Sequence, residues 1–171
     1  MSDVASRPVH YLTPAGKARL RHRIHEARQA YDAVCASNGE AAEAGDSSVW
    51  HDNFAYEENQ RQMHQLARRV RTLEEVLTSA AEVLPCRRAP SQVQIGSAVW
   101  VRRLHDGQER TWYIAGWDDG DPGAGRLAYT APLASALIGA EPGDVRVVRE
   151  GGKTIELEVV EVLAAPPSEL A

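Results

Sequence analysis

The sequence predicts an α+β protein: an N-terminal antiparallel coiled-coil hairpin of two α-helices, then a small antiparallel-sheet domain carrying one short helix. Three observations predict it. Leu20, Ile24, Ala27, Tyr31 and Val34 are spaced 4, 3, 4, 3, and Tyr56, Asn59, Met63, Leu66, Val70, Leu73 and Leu77 continue that rhythm; such a stripe marks one face of a helix. Gly39, Gly45 and Asp46-Ser47-Ser48 interrupt the two stripes, so the chain folds back between them. From Gly96 the apolar period changes to two, the period of strands.

Each element has a local reason. Residues 1–12 read as a flexible N-terminus. Thr13-Pro14 starts the first helix, with Thr as N-cap and Pro at the first helical position. The hairpin then occupies 13–80, with its tip at about 45–53 and arms of roughly 25–30 residues, about 40 Å at about 1.5 Å per residue. Asn59 within the stripe reads as a register device or a residue of the frayed tip. Residues 81–95, with Pro85, Pro90 and Arg87-Arg88, lose the periodicity and read as a linker. In 96–163, Ala98–Val101 and Thr111–Ile114 read as strands joined across His105-Asp106-Gly107. Asp118–Gly123 reads as a turn-rich loop, and Pro132–Leu137 as a short helix closed by Gly139. Val145–Val148 and Thr154–Val159 read as strands joined at Gly151-Gly152, and the phase slip at Val159-Val160 predicts a β-bulge. Residues 164–171 read as a frayed tail.

Composition narrows the function. The chain has 171 residues and a formal net charge of -5, which argues against a protein that coats nucleic acid through its overall charge. No apolar run is long enough to span a membrane, and the N-terminus shows no secretory pattern. Two cysteines, Cys35 and Cys86, are too few for a disulfide framework or a zinc site. A cytoplasmic protein with reduced thiols and no membrane partner is expected.

The charge is segregated along the chain. Gln29 to Gln60 contains seven acids and no Lys or Arg. Arginines flank it on both sides, including Arg19, Arg21, Arg23, Arg68, Arg69 and Arg71. Folding back gathers the acids at the turn and the arginines at the open end. Solvated helix faces usually mix signs in i,i+4 pairs, so the segregation points to a cation or a basic cavity at the tip. Trp100, Trp112 and Trp117 admit two readings, sheet packing or an aromatic partner surface. Trp50 falls in the turn, where a functional role and local packing both fit.

Tyr129-Thr130-Ala131-Pro132-Leu133-Ala134-Ser135-Ala136-Leu137-Ile138-Gly139, Gly143-Asp144-Val145, Gly151-Gly152 and Glu156–Val159 resemble the C-terminal domain of bacterial GreA/GreB transcript-cleavage factors. Tyr11-Leu12-Thr13-Pro14-Ala15-Gly16 looks like the start of their coiled coil, and Gly45-Asp46 with Asp52-Asn53 and Tyr56 looks like their acidic tip. The resemblance runs from about Tyr11 to Val162. It implies an FKBP-like fold for the sheet domain and a monomeric accessory factor that is not itself an enzyme. It implies a hairpin that enters the secondary channel of RNA polymerase, with docking through Pro132, Leu133, Leu137 and Gly139. It implies that Asp46 and Asp52 help the polymerase hold Mg²⁺ while backtracked RNA is cleaved, with Trp50, His51 and Asn53 as tip neighbours. Carboxylates suit a hard cation. It also implies that the flanking arginines meet the RNA, beside the alternative of a solvated helix surface.

The tip departs from the family pattern. Asp52 follows Asp46 by six positions rather than three, and it is Asp rather than Glu. Six places both acids together only if the intervening residues turn back, and Asp52 also suits the N-cap of the second helix. A channel-plugging inhibitor is therefore the alternative function, and a prolyl isomerase or chaperone is a more distant one that rests on fold alone. In the C-terminal helix, Ala131 stands where the family carries a Ser N-cap, leaving Thr130 as a substitute.

Overall fold

A computed structural model describes residues 10–43 and 54–170. Contacts divide the chain into two units, Leu20–Thr78 and the remainder. The expected α+β architecture is present: two long helices, then a curled, mostly antiparallel sheet with one short helix.

A short strand β1 (Tyr11–Leu12) leads into α1 (Pro14–Glu43). Thr13 caps that helix as expected, its Oγ1 accepting from the Gly16 amide at 3.1 Å. The return helix α2 spans Phe54–Ser79. Arg28 of α1 donates to Glu74 of α2 through Nε at 3.0 Å, a contact between the two helices of the hairpin. Leu20, Ile24 and Ala27 are buried on α1, and Leu73 and Val76 on α2. The sequence stripe placed Leu77, not Val76, on the buried face. The difference is one of period, because a straight helix drifts by about 20° per heptad against a strict 3.5-residue repeat. Tyr31, Val34, Asn59, Met63, Leu66 and Val70 are half-buried. The Tyr31 phenol is raised above its ordinary range, chiefly by its hydrogen bond with the Cys35 side chain one turn on.

The other unit joins the residues before Leu20 to those after Thr78. Strand β2 (Ala81–Glu82) pairs in parallel with β1. The amide of Trp117 donates to Tyr11 O at 2.8 Å. That approach requires Gly116, where a Cβ would stand 2.9 Å from Tyr11 O and 3.0 Å from Leu12 Cα. Within the segment that reads as a linker, Val93 is buried in the sheet core and its carbonyl accepts from the Gly139 amide at 2.8 Å.

The sheet contains β3 (Ala98–Arg103), β4 (Glu109–Ala115), β5 (Arg126–Ala128), β6 (Val145–Glu150) and β7 (Lys153–Leu163), in the order β5-β4-β3-β7-β6. The predicted hairpins β3–β4 and β6–β7 are both antiparallel. The expected bulge is present: Trp100 pairs with Glu161 and Val101 with Val159, leaving Val160 as the extra residue. Strand β5 was not visible in the sequence. Three residues are too few to show a period, and β5 pairs in parallel with β4. The short helix α3 (Pro132–Leu137) follows. Thr130 does not replace the missing cap, because Ala131 itself is the N-cap and no side chain bonds there. Gly139 ends the turn at φ 81°, as a glycine at that position should.

Val99, Val101, Trp112, Ile114, Leu157 and Val159 form the core with Ala134 and Leu137 of α3. The alternate face of β4 is buried as well: Tyr113 and Ala115 pack with Ala165, and Leu170 lies against them. The C-terminal residues that the sequence reads as frayed are therefore packed. A tail of mostly small and polar residues carries no period of its own, so only the sheet face beneath it reveals that it is held.

Candidate functional site

The proposed tip residues Asp46, Trp50, His51, Asp52 and Asn53 lie outside the described residues. The remaining candidates fall on three surfaces, two in the sheet unit and one on the hairpin.

On the hairpin, Arg68, Arg69 and Arg71 are exposed on α2, and Arg21 on α1. Arg23 is half-buried. His64, Arg68 and Arg71, spaced four and three, lie on one helical face and line a shallow groove of about 450 Å³ with Ala67. Arg68 donates from Nε to His64 O at 3.2 Å, which lays its side chain along the helix. Nearer the tip, Arg61 is 3.5 Å from Glu58 and 3.9 Å from Glu57.

Arg19 departs from that basic set. Its Nε and Nη2 each donate to Asp119 at 2.6 Å, and its Nη1 and Nη2 donate to Glu169 at 3.2 and 2.8 Å. The side chains of Asp119 and Glu169 are 8% and 3% exposed. Hydrogen bonding to Asp119 raises the guanidinium pKa most; burial opposes this, and Glu169 raises it further. A guanidinium held by two carboxylates is a structural group within this unit, not a free cation. The sequence offered no signal for this, since Asp119 reads as one acid among three in a turn.

The sheet unit carries a groove of about 470 Å³ between the inner sheet face and the start of α3. Val101, Trp112, Leu127 and Leu157 supply apolar lining, and Pro132 and Leu133 line it from α3. Arg103, Arg110 and Arg149 also line it, against the single acid Glu109. Arg110 is fixed by two contacts: its guanidinium lies 3.9 Å from the Trp112 ring centroid, and its Nη2 donates to Pro122 O at 2.6 Å. Glu109 is engaged by Arg102 at 2.8 Å. The surface therefore presents apolar side chains beside an excess of positive charge.

The four docking candidates separate. Pro132 and Leu133 line the groove, whereas Leu137 is fully buried and anchors α3 to the core. Leu137 cannot offer itself to a partner. Gly139 is exposed in the turn after α3 and does not line the groove. Arg110 was missed, whereas Trp112 was singled out as sheet packing or a partner surface; both line the groove with Pro132. Their signal is the alternation on β4, which puts 110 and 112 on one face, but the strand alone does not say that α3 faces them. Of the other tryptophans, Trp100 is half-buried, and Trp117 is half-buried with its ring 5.0 Å from that of His10.

The chain thus carries a two-helix arm followed in sequence by a sheet domain with an apolar groove lined by three arginines. The family profile described as transcription elongation factor, GreA/GreB, C-term, matches residues 88–164, and the N-terminal profile of the same factors matches 10–81. The chain is 30% identical over 157 residues to the transcription elongation factor GreA of Chloroflexus aurantiacus (strain J-10-fl), covering 89% of this chain and 96% of that protein. It is 33% identical over 163 residues to GreB of Neisseria meningitidis serogroup B (strain MC58), covering 90% and 94%. The chain belongs to the GreA/GreB family and is a transcription elongation factor. Among solved structures, the GreA factor homolog 1 (Gfh1) of Thermus thermophilus aligns with 20% identity and a TM-score of 0.42 over 89% of this chain and 97% of that one. A GreA/GreB factor from Nitrosomonas europaea aligns with 19% identity and a TM-score of 0.39, over 92% and 99%. Among the described residues, no helix is long and apolar enough to cross a membrane.

Proposed function

We propose that this factor binds RNA polymerase, reaches its active centre through the secondary channel, and promotes cleavage of backtracked RNA. The observation that carries the reading is the match of both family profiles, in order, along residues 10–81 and 88–164. The two helices of 30 and 26 residues supply the arm such a reach needs. Docking belongs to the groove bounded by Pro132, Leu133 and Trp112. An apolar floor beside arginines suits a protein surface that brings apolar and acidic side chains together. Exposed Arg68, Arg69 and Arg71 suit contact with the extruded RNA. Asp46 and Asp52 would offer hard oxygen donors to Mg²⁺ shared with the polymerase, and the metal would supply charge stabilisation at the phosphodiester.

The test is a stalled elongation complex with purified polymerase. Wild type is expected to accelerate 3′ cleavage, and Asp46→Asn with Asp52→Asn to abolish the effect while still binding. Leu133→Glu is expected to weaken binding about tenfold or more. No difference between wild type and the double variant overturns the cleavage reading. Inhibited nucleotide addition without cleavage supports the alternative of a channel plug, for which Trp50 at the tip and the six-residue spacing speak.

A further inference from the structure

We propose that the C-terminal segment 164–170 is a reversible strap, which holds the first turn of α1 in place through Glu169, Arg19 and Asp119. All of these groups belong to one compact unit.

The strap has few attachments. The Ala165 amide donates to Cys86 O at 2.8 Å, Ala165 and Leu170 cover Tyr113 and Ala115, and the turn Pro167–Glu169 delivers one carboxylate. A short terminal segment held chiefly by the Ala165 amide, the apolar contacts of Ala165 and Leu170, and the ion pairs of Glu169 lies toward the low end of local stability. It can detach while the five-stranded sheet stays folded.

Its far end is a shared charge. Glu169 accepts from both terminal nitrogens of Arg19, and Arg126 stands 3.8 Å away. Asp119 takes the other edge of the same guanidinium. Asp119 reaches it because Asp118 adopts a left-handed φ of 50° and because residue 16 is glycine; a Cβ there would stand 3.1 Å from Asp119 Oδ2. Arg126 also pairs with Asp121 at 3.3 Å, so Arg19 is the main partner of Glu169. Removing the Glu169 charge leaves Arg19, whose side chain is 32% exposed, with Asp119 as its remaining carboxylate partner, and takes away a carboxylate that is itself only 3% exposed. Arg19 and Thr13 flank Gly16 and Lys17, whose amides close the first turn on Thr13. Loss of the strap therefore loosens that turn and uncovers Tyr113 and Ala115 of β4, but leaves the strands β3 and β6 untouched.

Amide hydrogen exchange followed residue by residue by NMR tests this in the full chain. Glu169→Gln is expected to speed exchange at Gly16, Lys17 and Arg19 about tenfold, with β3 and β6 amides unchanged. A chain ending at Leu163 is expected to do the same or more. Three results overturn the proposal: unchanged exchange at 16–19 in Glu169→Gln, acceleration confined to 164–170, or equal acceleration throughout the sheet. If the shortened chain does not fold, Glu169→Gln alone decides.

Discussion

The hairpin and the sheet unit use their residues in opposite ways. Within Leu20–Thr78, only Leu20, Ile24, Ala27, Leu73 and Val76 are buried among the described residues, and the charged side chains lie along the helices. In the sheet unit, β4 is covered on both faces, and the groove draws on β3, β4, β7 and α3 at once. An arm of two helices displays chemistry in the order in which the sequence writes it. A sheet with a helix against it builds a surface from residues far apart in the chain. Substitutions in the arm should therefore act locally and weakly, and those in the sheet unit strongly and on several features together.

The sharpest way to break that contrast is Leu137→Ala. The side chain is fully buried, so its loss is expected to cost about 2–5 kcal/mol. Because Leu137 anchors α3, the proposed polymerase binding should fall with stability. Chemical denaturation and a binding titration on the same samples check this; full binding at reduced stability would separate the groove from the core.

A smaller effect concerns the outer face of β4. Burial, and after it Glu169, raises the Tyr113 phenol from 10.0 to about 12. The fold favours the neutral phenol, so its contribution is complete below pH 10 and is lost as pH rises through about 12. Relative to Tyr113→Phe, wild type should lose about 1–2 kcal/mol across that window. Denaturation midpoints of both proteins from pH 9 to about 12 measure it, and a constant difference would contradict the burial.

The smallest effect belongs to the arm. Arg28 and Glu74 are 61% and 39% exposed, so Arg28→Ala is expected to cost no more than about 0.5 kcal/mol. A thermal melt suffices, and a loss above about 2 kcal/mol would show that the arm depends on that pair as a core does.

Much of the architecture was legible because period is a local property. Thr13-Pro14, the two stripes, both β-hairpins and the bulge at Val159-Val160 can each be read in a window of a few residues. Strand β5 escaped because three residues have no period. The C-terminal segment escaped because its partners, Tyr113 and Arg19, lie more than 50 residues away. Leu133 and Leu137 sit four apart on one helix and look alike in sequence, yet one lines the groove and the other fills the core.

By itself, the sequence determined the arm, the segregation of its charge, the alternating strands and the family. Backbone propensity, side-chain period and turn chemistry are all short-range. Only the tertiary structure decided that Arg19 is held between two carboxylates. Arg19 reads like Arg21, but Asp119 and Glu169 converge on it from 100 and 150 positions away. Charge is written residue by residue, whereas neutralisation depends on which carboxylates the folded chain brings within hydrogen-bond distance.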